Sequence, residues 1–165
     1  MKYFYDTEFI EDGKTIDLIS IGIVSEDGRG YYAISTEFDA SKASQWVKDN
    51  VLTKLENAPS LYKTREEIRI EVEAFICNDT TAKSELWAYY ADYDHVVLCQ
   101  LFGTMMNLPV HFPMYTNDIK QMCDELGNPQ LPKQVKGEHN ALADAKWNME
   151  AYMFLVEKAN EIVNR

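Results

Sequence analysis

Two acidic residues inside a stretch that otherwise favours a buried strand constrain this chain more than any other feature. Lys2 to Ile10 reads Lys-Tyr-Phe-Tyr-Asp-Thr-Glu-Phe-Ile, rich in aromatic and other strand-favouring residues, with Asp6 and Glu8 in its second half. Side chains alternate along a strand, so both carboxylates share one face, roughly 6.5 Å apart along it, and Thr7 takes the other. Two like charges at that spacing repel. Inside a sheet they are costly unless a cation or hydrogen-bond donors compensate, and a divalent metal ion satisfies both at once. The alternative open at this point is that the strand ends at Tyr5 and both acids lie in a solvated loop.

Composition narrows the partners. The chain has 165 residues, 46% of them hydrophobic, enough to bury a full core, and is expected to form one domain over 1–165. Its net charge of −11, with no basic run, argues against broad electrostatic capture of a duplex. Contact with nucleic acid would have to be local, through metal ions that neutralise carboxylates and a phosphate at one point. Cys77, Cys99 and Cys123 are widely spaced and lack a Cys-x-x-Cys pair, the pattern of reduced packing residues. No charged segment followed by an apolar run opens the chain, and no stretch approaches about 18 uninterrupted apolar residues. The expectation is a soluble protein of a reducing compartment, the cytoplasm, with no membrane partner.

The order of elements follows from turn residues and periodicity. Asp12-Gly13 and Asp27-Gly28 separate three strand-like runs, Lys2–Ile10, Asp17–Val24 and Arg29–Ser35, which predicts an antiparallel meander with the apolar middle run inside the sheet. Ser41 to Asn50 has helical composition, with Trp46 and Val47 as its apolar anchor, and Pro59 marks a break. Thr64-Arg65-Glu66-Glu67 fits a capping box opening a helix whose apolar stripe is Ile68, Val72, Phe75 and Ile76, its charges forming a solvated face. Glu85 to Tyr90 reads as a fourth strand, followed by a helical run through Phe102, with Asp94 near its start. Asp92 competes for that role or serves as the helix N-cap. A short fifth strand around Met114-Tyr115-Thr116 precedes a helix capped by Asn117 or Asp118 and ended by Gly127. The last helix runs from about Asn140 to Val163, burying Leu142, Ala145, Asn148, Met149, Tyr152, Leu155, Val156 and Ala159.

The closing Gly137-Glu138-His139-Asn140-Ala141-Leu142-Ala143-Asp144 supplies the remaining chemistry. Five residues turn a helix by about 140°, so His139 and Asp144 face one place only if His139 lies in the loop and Asp144 one turn inside. A lone histidine before a helix is more often a cap or surface residue, and Asp144 alone could sit on a solvent face. His95 and His111 read as ordinary helix or loop residues.

Taken together, Asp6-Thr7-Glu8, Tyr93-Asp94-x-x-x-Leu98 and His139-x-x-x-x-Asp144 resemble, in order, the three motifs of the DEDDh 3′-5′ exonucleases of the ribonuclease H-like superfamily. Within that family the chain is most similar to the polyadenylate-specific exoribonucleases of the RNase AS type. That likeness runs through Tyr5-Asp6-Thr7-Glu8-Phe9-Ile10-Glu11-Asp12-Gly13, Trp87-Ala88, Tyr93-Asp94-His95, Leu98-Cys99-Gln100-Leu101 and His139 to Ala145, and is weakest between Thr36 and Ala82. Phe9 stands where many DEDDh enzymes carry Thr, and the Asn often found shortly before the second-motif Asp is missing.

The resemblance implies an α/β ribonuclease H-like fold: a mixed five-stranded sheet, an antiparallel meander of three strands plus two parallel strands, flanked by helices. It implies Asp6, Glu8, Asp94 and Asp144 as ligands of two Mg²⁺ or Mn²⁺ ions and as catalytic groups beside His139. Oxygen-rich ligand sets suit these hard cations, and in two-metal sites one ion activates water while the other steadies the leaving oxygen. Histidine takes protons near neutral pH, which fits His139 as general base. The resemblance also implies substrate contacts at Thr7, Glu8, Phe9 and His139, a single-stranded RNA 3′ end as substrate with polyadenylate preferred, and a homodimer. Phe9 itself reads either as a platform for a terminal base or as a core residue. The competing readings are a DEDDh enzyme acting on DNA ends or short oligonucleotides, and a binding module of the same fold without turnover.

Overall fold

The computed structural model describes residues 1–77 and 84–164. Strand β1 (Lys2–Glu11) returns as β2 (Ile16–Ser25) and β3 (Gly30–Ser35), each antiparallel to the one before. The turns use Gly13 and Gly28 at φ 79° and 89°, backbone that only glycine adopts at little cost. Every residue of β2 from Leu18 to Ser25 is buried, as its apolar run predicts for a strand with neighbours on both sides. β1 therefore passes through both acids as strand, and the loop alternative for Asp6 and Glu8 falls away.

The sheet has six strands, not the expected five, in the order β4-β3-β2-β1-β5-β6. The addition is β4 (Tyr62–Lys63), two residues lying parallel to the end of β3, too short to carry a periodic signal. β5 covers Glu85–Ala88, parallel to the start of β1, and stops short of the expected Tyr90 because Tyr89 and Tyr90 turn the chain, Tyr90 at φ 57°. The edge strand β6 is Asn117–Asp118 rather than Met114–Thr116. Met114 and Tyr115 are exposed, and Asn117 instead joins the sheet, its side-chain amide donating to the Leu86 carbonyl at 3.0 Å.

Helices cover both faces. The first expected helix is split: Ser44 accepts from the Val47 amide and so starts α1 (Gln45–Asn50) afresh after a 3₁₀ turn at Ala40–Lys42. Trp46, expected as its anchor, is exposed, and Ala43 and Val51 are the buried residues of that stretch. α2 (Arg65–Cys77) begins with the capping box as read, Thr64 and Glu67 exchanging bonds of 2.7 and 3.2 Å. Its Ile68, Val72 and Ile76, with Leu98 of α3 (Asp92–Leu101), cover Tyr3, Tyr5, Ile21 and Ile23 on one side of the sheet. On the other side, α4 (Ile119–Glu125), capped by Asp118, and α5 (Ala141–Val163) cover Phe4.

α5 buries Ala141, Ala145, Asn148, Ala151 and Leu155, a narrower and smaller stripe than the larger residues expected; Met149, Tyr152, Val156 and Ala159 flank it half-buried. Small residues let the helix axis approach the strands. At Gly22 the approach is closest, since a Cβ there would stand 2.3 Å from the backbone of Ala141 and Leu142. Gly22 pairs with Asp6, so the first turn of α5 is seated directly beside the acidic part of β1. No helix among the described residues is long and apolar enough to cross a membrane.

Candidate active site

The site forms where β1 outruns its neighbour. β5 pairs with β1 only as far as Phe4, so from Tyr5 onward one edge of β1 faces no strand. A backbone amide on such an edge needs an acceptor. At Thr7 that acceptor is Asp94, whose Oδ1 takes the Thr7 amide at 2.8 Å and the Thr7 hydroxyl at 2.6 Å. The β5 to α3 turn delivers Asp94 to this position, and Asp118 holds the turn by accepting from the Ala91 amide at 3.0 Å. Asp94 is buried in the first turn of α3. Asp92 is exposed and caps nothing; the cap position is Ala91. Burial raises the Asp94 carboxyl to about 6 even against the two Thr7 donors, which pull it down.

The opposite bank comes from the loop before α5. Gly137 and His139 both have left-handed backbone, φ 84° and 64°, and Asn140 caps the helix through a bond from the Ala143 amide at 3.1 Å. For a histidine that conformation costs of order 1 kcal/mol, the kind of strain that persists only when the surroundings hold it. Here the His139 amide donates to Asp144 Oδ2 at 2.8 Å, while Gln134 donates to Asp144 Oδ1 at 2.5 Å. Asp144 is thus fixed from both sides, one turn inside the helix.

Between the banks stand Asp6 and Glu8, on the α5 face of β1. Glu8, His139 and Asp144 each bring a ligand atom within 4.8 Å of the others. Glu8 is pushed up to about 8, first by burial and then by the Asp144 carboxylate. Asp6 is raised well above the usual carboxylate range, by burial and then by the charges of Asp94, Glu8 and Asp144, and Asp144 is raised mainly by burial. Among the described residues no lysine or arginine forms an ion pair with any of the four acids. Converging oxygen donors, mutually repelling and lacking a cationic partner, fit a hard divalent cation. Asp6 and Asp94 lie outside the compact trio of Glu8, His139 and Asp144, and Asp94 Oδ1 is already engaged by Thr7.

An open cleft of about 300 Å³ adjoins the acids, lined by Asp6, Gln134, His139 and Asp144 and walled by Tyr89 and Trp147. Phe9 is half-buried and stacked on Tyr93, ring centroids 5.5 Å apart and planes 13° apart, so it both touches the core and backs a half-exposed tyrosine. His95 lies in α3 against the Thr116 hydroxyl, 3.0 Å away, apart from the trio. Sequence reasoning missed Gln134, which lies in a polar loop with no periodic signal. Asn148 had one: an amide on a buried helical stripe, one turn past Asp144, where it donates to the Tyr5 carbonyl at 2.9 Å.

Comparison with known proteins identifies the family and the fold. Residues 1–156 match the family model described as the 3′-5′ exoribonuclease Rv2179c-like domain. The chain is 48% identical over 156 residues to the 3′-5′ exoribonuclease Rv2179c of Mycobacterium tuberculosis strain H37Rv, covering 94% of this chain and 93% of that protein. The 3′-5′ exoribonuclease MT2234.1 of strain CDC 1551 is similar to the same extent, 48% over 156 residues. Among solved structures, the fold is similar to a zinc-bound E. coli ExoI–ssDNA complex, with TM-score 0.65, 11% identity, 96% of this chain and 40% of that one. A second exonuclease I structure gives TM-score 0.61 at 13% identity. The ribonuclease H-like architecture implied by the motifs is the one observed.

Proposed function

Because the chain belongs to the 3′-5′ exoribonuclease Rv2179c-like domain family, we propose that it shortens single-stranded RNA from the 3′ end by metal-dependent hydrolysis of the terminal phosphodiester. The observation that carries this reading is the meeting of Glu8, His139 and Asp144 beside Asp6, with burial and mutual repulsion holding the carboxyls above their ordinary range.

In this reading Asp6, Glu8, Asp94 and Asp144 hold two Mg²⁺ or Mn²⁺ ions. Such ions, when bound, neutralise the phosphate and favour hydroxide formation from water near neutral pH. The chain supplies the rest. Thr7 keeps the Asp94 carboxylate turned along the open edge of β1, and Gln134 and the His139 amide do the same for Asp144. An imidazole nitrogen of His139 takes the proton from the attacking water, whose oxygen bonds to phosphorus as the P–O3′ bond breaks, so that the terminal nucleotide leaves as its 5′-monophosphate and the O3′ of the shortened strand takes up a proton from solvent. Phe9, backed against Tyr93, offers a platform near the acids for a terminal base. Preference for polyadenylate and assembly as a homodimer complete the proposal, and both rest on the likeness to RNase AS-type enzymes.

The test is to incubate the protein with 5′-labelled homopolymeric RNAs and matching DNAs, in Mg²⁺ and in chelator. The expected result is a ladder receding from the 3′ end, on adenylate RNA above all, and only with metal. Internal cuts, equal action on DNA or full activity in chelator would each overturn the corresponding part. His139→Ala should keep the fold and lose about 10²- to 10⁴-fold in turnover, the usual contribution of a general base. Sedimentation of the purified protein tests the dimer.

A further inference from the structure

Trp46 behaves unlike the rest of its segment. Val47, Val51, Leu52 and Leu55 pack with Ile10 and Ile19, docking α1 and the turn after it onto the end of the sheet. Trp46 stands outside that cluster and is 55% exposed, an arrangement core packing does not explain. Its indole instead meets the His139 imidazole edge to face, with centroids 4.9 Å apart and planes at 80°. That is a favoured geometry for an aromatic pair.

A second contact joins the same two segments. The Lys54 ammonium donates to the Glu138 carbonyl at 2.9 Å. The docked segment therefore grips two successive residues of the loop, Glu138 by its backbone and His139 by its ring. The bond from the His139 amide to Asp144 and that from the Asn140 amide to Gly137 fix the left-handed backbone, yet neither constrains how the imidazole turns about its own side-chain bonds. Trp46 supplies a surface against which the ring rests.

We infer that Trp46 is a positioning residue for His139, holding the imidazole at the orientation from which it receives the water proton, with Lys54 as the second point of the same brace. The inference rests on His139 being the general base. Misplacing such a group by about an ångström lowers turnover without weakening substrate binding.

The experiment is a double-mutant cycle on single-turnover and steady-state kinetics with a 5′-labelled oligoadenylate. Trp46→Ala is expected to lower kcat about tenfold with KM within about twofold, and Trp46→Phe to recover most of it. In a His139→Ala background Trp46→Ala should have no further effect, because the group it positions is gone. The ring-proton NMR resonances of His139 should also move in Trp46→Ala, since the indole ring current is lost. A raised KM with kcat kept would make Trp46 a base-stacking residue and overturn the inference. So would wild-type kcat, or an equal loss in both backgrounds. Wild-type turnover in His139→Ala alone would remove the base assignment itself, and is read before the Trp46 variants are interpreted.

Discussion

β1 is one strand with two unlike halves. Tyr3, Phe4 and Tyr5 are each 1% exposed, and Lys2 to Phe4 have strands on both sides. From Asp6 to Glu11 only β2 remains alongside, and the ladder slips between Glu8 and Phe9, leaving Ile19 of β2 without an opposite number. Bulges of this kind commonly lie next to active sites, where they re-aim side chains. The doubly paired half buries aromatic rings, each worth roughly 1.5–3 kcal/mol, and anchors the strand. The singly paired half uses that anchorage to hold Asp6 and Glu8 near Asp94 and Asp144, which no acidic cluster would choose in the absence of cations. In the proposed reading, stability and chemistry are thus separated along a single element.

The separation can be attacked from either end. The largest effect is expected from Glu8→Gln, which removes a carboxylate from the functional half. Loss of several kcal/mol of transition-state stabilisation, about 10³-fold in turnover, should accompany an unchanged or higher melting temperature in chelator, because glutamine keeps the uncharged form that burial favours and cannot take on the repelling charge. Parallel rate assays and thermal melts check both signs. Retained turnover, or a lower melting temperature, would break the comparison.

Phe4→Ala tests the other half. Phe4 is buried between Tyr152 and the α4 side of the core, its ring 5.1 Å from that of Tyr152. Its truncation should lower stability by about 3–5 kcal/mol, measured by urea unfolding, while activity per folded molecule stays near wild type. A fall in activity beyond the fall in folded fraction would show that the anchoring half also shapes the chemistry.

The smallest effect is a pH dependence. Glu8 in the folded chain titrates at about 8, above its ordinary 4.5, so between those values the folded state holds a proton the unfolded state has lost. Folding stability in chelator must therefore fall as pH rises from 6 to 8, at roughly 2–4 °C of melting temperature per kcal/mol for a chain of this size. Mn²⁺ should restore more at pH 8 than at pH 6, and Glu8→Gln should flatten the slope. A melting temperature that climbs over this window in chelator would contradict the assignment.

Much of this was legible in the residues themselves. Alternation put Asp6 and Glu8 on one face because strand geometry allows nothing else, and Asn140 before an apolar period marked where α5 begins. Asp94 was legible as a candidate through its place just past a strand, although only the structure shows that it, and not the exposed Asp92, is buried beside β1, where the Thr7 amide and hydroxyl lie on the open edge and reach it. What could not be read depends on partners far along the chain. Gln134 finds Asp144, and Lys54 finds Glu138 across a separation of 84 residues, with no local pattern to announce either contact. Trp46 was misjudged for a related reason. An apolar ring beside Val47 looks like core, and only the loop carrying His139 gives it another purpose. The two-residue strand β4 escaped because it has no period at all.

Gly22 carries a consequence for anyone who wishes to alter this molecule. The absence of a side chain there lets main chain rest on main chain, so the gap between the two acidic walls is set by a hard stop rather than by adjustable packing. In the proposed reading, redesign of substrate choice has its free variables at the rim, in Phe9 and Tyr93. A single methyl at position 22 would wedge the whole helix outward and widen the gap for every substrate at once.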